Sequence, residues 1–237
     1  MKKNIDNFKF FYLSFLGKTT SSILSKKISK LWTPFHKSRI AGIGFCSPFL
    51  DSINKRVQRL FFLIPSQFGE YHFNLKDKNS TASINEYTLP IDDSSLDRLL
   101  VIHSLEYITD HKKFLREAWR TLDKNGEILI IVPNSFGLWR THYKKNLLSL
   151  RTFSYFELNS LLLNNFFTPI DFEYSLFFPT INNKYFLNKI NLFEYIGRKF
   201  FKFFAGVIIV RAKKNYSTAI LKEKKIMKRE VSQNIEF

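Results

Sequence analysis

The spacing of short apolar runs between Arg39 and Pro133 restricts the fold more than any other feature of this chain. Arg39-Ile40-Ala41 leads into Gly42-Ile43-Gly44, and Arg59-Leu60-Phe61-Phe62-Leu63-Ile64 stops at Pro65. Thr81 to Ile84 is a weaker run, Leu96 to His103 encloses Leu99-Leu100-Val101-Ile102, and Glu127 to Val132 stops at Pro133. Runs this short and continuous suit strands covered on both faces, so the pattern predicts βαβ units around a mostly parallel sheet. Between the runs, Ser47 to Asn54 suits a short helix with Pro48 in its first turn, and Ser66 to Asn79 reads as a loose polar stretch. Asp110 is placed to cap a helix with the apolar face Phe114, Leu115, Ala118, Trp119 and Leu122, which Asp123-Lys124-Asn125-Gly126 ends with a glycine where a left-handed residue is wanted. The same grammar continues with a helix near Tyr155 to Asn164, a strand near Ile170 to Phe177, a helix near Leu187 to Phe204 and a last strand from Gly206 to Arg211.

Composition limits the class. A chain of 237 residues with 45% hydrophobic and 17% aromatic content has material for one domain with a large core, which excludes a disordered chain and a disulfide-stapled miniprotein. A single cysteine makes neither an internal disulfide nor a zinc cluster, and it fits a reducing, cytoplasmic setting. Lys2 and Lys3 followed by the apolar run Phe10 to Leu16 copy the start of a signal peptide, but Asp6 and Lys9 interrupt the approach and no small-x-small site closes it. Leu13, Leu16, Ile23, Ile28 and Leu31 recur at helical spacing among Lys18, Lys26, Lys27 and Lys30, which predicts one amphipathic helix from Phe10 to Trp32. No stretch approaches the ~20 apolar residues of a membrane span. Three regions are expected: an N-terminal helical extension over 1–33, a domain over 34–212, and a basic, mobile or weakly helical tail over 213–237 outside the core. The net charge of +17 suggests anionic partners, membrane or nucleic acid, reached through the basic ends.

Gly42-x-Gly44 at the end of the first strand admits close approach of backbone to a nucleoside-type ligand, or is a plain tight turn. The third glycine of a dinucleotide fingerprint is replaced by Ser47, which disfavours pyrophosphate. The four pieces Asn85 to Leu99, His103 to Tyr107, Phe114 to Gly126 and Glu127 to Asn134, in this order and spacing behind the glycine turn, resemble class I S-adenosylmethionine-dependent methyltransferases, in particular the methyltransferase type 11 group. The resemblance covers Arg39 to Asn134, and more weakly the rest to Ala212. It implies a Rossmann-like fold with S-adenosyl-L-methionine as cofactor. Gly42, Ile43 and Gly44 would line the turn beneath the methionine portion, and Asn85 would accept from the adenine amino group where the family commonly has aspartate. Glu86 and Tyr87 would border the adenine, with Leu89 closing its apolar side and His103 facing the methyl-transfer site or the cofactor's sulfonium side.

One departure concerns the ribose. The family places an acidic residue at the end of the second strand, where a carboxylate accepts from two hydroxyls at once; here Leu63-Ile64-Pro65-Ser66-Gln67 offers Gln67, with Glu70 nearby in sequence. Other residues carry two readings each. His103 is a general base or a histidine hydrogen-bonded at a strand end, and Glu106 an acid or base or the start of the following helix. Asp92 and Asp93 read as turn formers rather than metal ligands, Cys46 as a buried thiol, and His142-Tyr143-Lys144-Lys145 as a solvated loop rather than a substrate wall. Phe166, Phe167, Phe177, Phe178, Phe186, Phe200 and Phe201 form either core or an apolar acceptor pocket. The expected activity is methyl transfer to a small-molecule or lipid-like acceptor. A non-catalytic methyltransferase-like binding protein and an RNA methyltransferase are the alternatives.

Overall fold

The computed structural model describes residues 5–32, 37–50, 57–69, 81–146, 151–180 and 190–216. Seven strands form one sheet in the order β3-β2-β1-β4-β5-β7-β6. They are β1 (Arg39–Gly44), β2 (Arg59–Pro65), β3 (Thr81–Ile84), β4 (Leu96–Ile102), β5 (Leu122–Pro133), β6 (Phe167–Ser175) and β7 (Val207–Lys214). The pairs among β1 to β5 are parallel, whereas β7 runs antiparallel to both β5 and β6. Chain order reverses between β1 and β4, and that switch point is where open α/β sheets leave a crevice beyond the carboxyl ends of their strands.

Alternation along the strands sorts the core into two layers. Leu100, Ile102, Leu129 and Ile131 face one side with α1 (Asp6–Leu13) and α2 (Phe15–Trp32); Leu99, Val101, Ile128 and Ile130 face the other with α4 (His111–Thr121) and α6 (Tyr155–Asn164). On the first side α3 (Ser47–Leu50) adds Phe49 and Leu50; positions 51–54 of the expected short helix lie outside the described residues. Leu24, Ile28 and Trp32 of α2 are fully buried, and the Lys27 ammonium reaches Glu173 at 2.8 Å and the Tyr174 carbonyl at 3.0 Å on β6. Burial of Leu24 and Ile28 alone is worth about 1.5–3 kcal/mol each. The segment is thus a layer of the core, while its position in sequence suggested an extension. No helix among the described residues is long and apolar enough to cross a membrane.

Several boundaries differ from the sequence reading. The expected single helix over Phe10 to Trp32 is two helices that begin earlier, at Asp6, and break at Ser14, whose extended ψ of 161° ends α1. The Ser14 hydroxyl donates to the Phe11 carbonyl at 2.6 Å and accepts from the Gly17 amide at 3.0 Å, capping both sides of the corner. A Cβ at Gly17 would fall on the Phe11 carbonyl, so only glycine admits so close a corner. Helix α4 is capped by Asp110, which accepts from the Lys113 amide at 3.0 Å, but it ends at Thr121. Leu122 already pairs with Leu96, and residues 123–126 bulge before Glu127 pairs beside Arg98; Gly126 is accordingly not left-handed. His142 to Lys145, expected as a solvated loop, lie in α5 (Arg140–Asn146), with Tyr143 buried. The helix expected near Leu187 to Phe204 is α7 (Ile190–Phe200) followed by a turn of 3-10 helix (Lys202–Phe204). The last strand runs to Lys214, so the basic tail does not begin at 213. Lys214 is buried, donating to the Leu122 carbonyl at 2.6 Å, with its ammonium 3.9 Å from the Trp119 ring centroid. Residues 217–237 of the expected tail lie outside the described residues.

Candidate functional site

The carboxyl ends of β1, β2 and β4 form a crest. Gly44, at φ 96°, ends β1 beside Ile102 of β4, and a Cβ there would collide with the Ile102 carbonyl. At Gly42 a Cβ would stand 2.7 Å from that of Cys46, so the turn folds tightly back on itself. Ile43 is fully buried within the sheet. His103 follows β4 at φ 55°, a left-handed conformation that costs a non-glycine residue energy and turns its imidazole over the crest.

His103 is buried, hydrogen-bonded on one ring nitrogen and facing a carboxylate with the other. Nε2 lies 2.6 Å from the Tyr12 hydroxyl of α1, and Nδ1 lies 3.5 Å from Glu106 Oε1. With Tyr12 donating, the ring proton sits on Nδ1 and faces Glu106. Glu106 is itself buried, yet among the described residues neither carboxylate oxygen finds a hydrogen-bond donor, and the neighbouring Ser104 hydroxyl is likewise unsatisfied. Buried acceptors of this kind are costly unless met by a donor, so the end of β4 suits a ligand that brings ammonium or hydroxyl groups. Burial, aided by the Glu106 charge, pushes the phenols of Tyr12, Tyr107 and Tyr143 well up, so all three are proton donors at neutral pH.

The ribose and adenine candidates gather beside this crest. Gln67, in the turn after β2, donates to Glu86 Oε1 at 3.3 Å. Asn85 spends its side-chain oxygen on the Tyr87 amide at 2.9 Å, closing its own turn. The Tyr87 hydroxyl accepts from the Asp110 amide at 3.2 Å. Leu89 is buried in the core layer of α4, its amide donating to Glu117 and its carbonyl accepting from Arg120. Arg120 also binds Asp93, which makes that carboxylate part of a structural ion-pair cluster. Glu70 lies outside the described residues. Cys46 is fully buried, its thiol pushed well up by desolvation and directed at the Ile43 carbonyl.

Helix α1 roofs the crest. Phe8 stacks on Phe45 at 5.8 Å and approaches the His103 ring at 4.6 Å, Tyr12 stacks on Phe45 at 5.7 Å, and Phe68 meets Phe8 edge-on. Tyr12 and Phe8 were not legible as site residues, because they reach His103 across some ninety positions of sequence. The i, i+3 spacing of His103 and Glu106 was the available signal for that pair. The donor set at the crest fits the polar groups of S-adenosylmethionine: Gln67 and Glu86 suit hydroxyls or the adenine amine, and Glu106 and Ser104 suit an ammonium. Phe8 and Tyr12 stack on Phe45, the residue after Gly44, so α1 covers this part of the crest.

The sequence model of the methyltransferase type 11 family, a methyltransferase domain, matches residues 27–130. No curated protein sequence matches the chain. Among solved structures, the putative methyltransferase of Haloferax volcanii in complex with the Trm112 activator is similar at TM-score 0.59 and 15% identity, over 81% of this chain and 89% of that one. A methyltransferase of Thermotoga maritima, a possible histamine N-methyltransferase, gives 0.56 and 18% over 88% and 92%. Geranyl diphosphate C-methyltransferase of Streptomyces coelicolor, with Mg2+, geranyl-S-thiolodiphosphate and S-adenosyl-L-homocysteine, gives 0.57 and 12% over 81% and 76%. Residues 27–130 thus match the type 11 methyltransferase domain, and the chain has the fold of the class I S-adenosylmethionine-dependent methyltransferases.

Proposed function

We propose that the chain transfers a methyl group from S-adenosylmethionine to a hydroxyl on a small or lipid-like, largely apolar acceptor, with His103 as the base that takes the acceptor proton. One observation carries this reading: a hydroxyl, that of Tyr12, already sits on His103 Nε2 at 2.6 Å, with Glu106 behind the ring. When bound, S-adenosylmethionine supplies an electrophilic methyl group. The chain's own residues do the rest. Nε2 receives the proton of the acceptor hydroxyl as Tyr12 leaves with α1, and Glu106 stabilises the resulting imidazolium. Gly42, Ile43 and Gly44 shape the floor, and Gln67, Asn85, Glu86 and Tyr87 lie along the nucleoside end, with Leu89 supporting them from the core. The apolar aromatics past β5 and β6 support an apolar acceptor; Phe178 is buried beside Trp139, and Phe177 lines a recess. A cytoplasmic setting agrees with the free, buried thiol.

The second reading, a non-catalytic binding protein of the same fold, is favoured by the absence of a carboxylate at the end of β2 among the described residues and by the filled crest. Calorimetric titration with S-adenosylmethionine and S-adenosylhomocysteine separates the two. Saturable binding supports the enzyme, and no heat at millimolar cofactor sinks it.

A further inference from the structure

Helix α7 and the turn after it present an unusual outer face. Phe203 is 73% exposed, Phe200 67% and Tyr195 65%, and Leu192, Phe201 and Phe204 are also exposed. A helix on a water-facing surface normally turns such residues inward. Here the inward positions are already taken. Ile190 is buried, and Glu194 accepts from the Ser175 hydroxyl at 3.0 Å and the Phe177 amide at 2.8 Å. Gly197 lies against the Phe177 ring so closely that a Cβ would overlap it. The helix is therefore fixed in orientation, and its second apolar face points outward.

The charges on that face have one sign. Arg198, Lys199 and Lys202 are exposed, whereas the acidic residue of the segment, Glu194, is the one turned into the protein. Lys199 sits 5.3 Å from the Phe200 ring centroid, so cation and aromatic ring are presented together. Between α7, the following turn and the loop after β5 opens an apolar recess of about 400 Å3, lined by Leu138, Phe177, Phe193, Ile196, Phe201 and Phe204.

We infer that this face docks the protein on an anionic lipid bilayer, with the aromatic side chains at headgroup depth, the three cations on lipid phosphates, and the recess open to a lipid tail. Aromatic rings interleaved with Lys and Arg, with no exposed acid among them, are the composition of an interfacial helix. Aliphatic Leu192, Ile196 and Leu138 among the rings favour hydrocarbon over stacked bases. The location agrees: the turn leads into Val207, which pairs with Pro133 at the carboxyl end of β5, and β5 adjoins β4, the strand that delivers His103. Docking thus brings the catalytic end of the sheet toward the bilayer. This deepens the proposed reading by giving the acceptor's source, yet vesicle binding needs no cofactor, so its failure would leave methyl transfer standing.

The test is co-sedimentation of the full chain with phosphatidylcholine vesicles, with and without phosphatidylglycerol. The parent chain should bind the anionic vesicles and scarcely the neutral ones. Two variants with unchanged melting curves, Phe200→Ser with Phe203→Ser and Arg198→Glu with Lys199→Glu and Lys202→Glu, should each weaken binding, the second by about 100-fold. Absence of binding by the parent chain overturns the inference. So does parental affinity in both variants, which would place the contact elsewhere, and so does tighter binding of a single-stranded oligouridylate that the same variants abolish.

Discussion

Removing one oxygen from the roof of the site should make the cofactor bind more tightly. In Tyr12→Phe the aromatic contacts to Phe45 and Phe49 persist, but the 2.6 Å bond to His103 Nε2 is lost. Both partners are buried, so the imidazole nitrogen is left unmet at a cost of about 1–3 kcal/mol against the docked position of α1. On the proposed reading the docked helix and the cofactor compete for the crest at Gly44 and Phe45, so that cost should reappear as a gain of about 5- to 150-fold in apparent affinity while the docked state dominates. Isothermal calorimetry with S-adenosylhomocysteine measures the gain. A melting curve of the unliganded variant measures the loss, which should be about 2–4 °C per kcal/mol for a chain of this size. A lower melting temperature with unchanged or weaker affinity would refute the reasoning, since α1 would then support the site instead of obstructing it.

Three other outcomes are expected. His103→Ala should lower the methyl-transfer rate about 10²- to 10⁴-fold while S-adenosylhomocysteine still binds by calorimetry, and an unchanged rate would remove the imidazole from the chemistry. Gly44→Val combines a left-handed backbone with a collision at the Ile102 carbonyl, so cofactor binding should vanish in any variant that still folds; retained binding would mean the turn is not its floor. Burial holds His111 and His142 below the usual imidazole range, so below about pH 6.5 the unfolded chain takes up protons that the folded chain refuses. Melting temperature should therefore be flat above that pH and fall as pH drops toward about 5, with a shallower fall in His142→Phe. Asp97, held below the usual carboxylate range by Arg39 against its own desolvation, adds its loss only below about pH 4.

The strands were legible because burial on both faces leaves a continuous apolar word, as in Leu99 to Ile102, and the glycine turn because so close a strand junction excludes side chains. The corner at Ser14 was not, since the apolar periodicity carries on through Leu13 and Leu16 while a serine cap ends one helix and starts the next. Lys214 was assigned to the basic tail outside the core, but its long stem lets the ammonium reach a carbonyl and a tryptophan face from inside the sheet. The candidate site divides the same way. Gly42, Gly44 and His103 were proposed from the glycine turn and the family resemblance, whereas Phe8 and Tyr12 are joined to them only by tertiary packing, and Glu106 became a partner of His103 only once the residue after β4 was seen to be left-handed.

The lone thiol beneath the glycine turn gives the protein a built-in gauge. Cys46 is sealed under Phe45, Tyr12 and the strand ends, and desolvation keeps it protonated and unreactive. A thiol reagent added in excess therefore reports the fraction of time that the crest stands open, without any label being introduced. Because the chain has no other cysteine, the rate of that single modification reads the breathing of the roof directly, with and without cofactor.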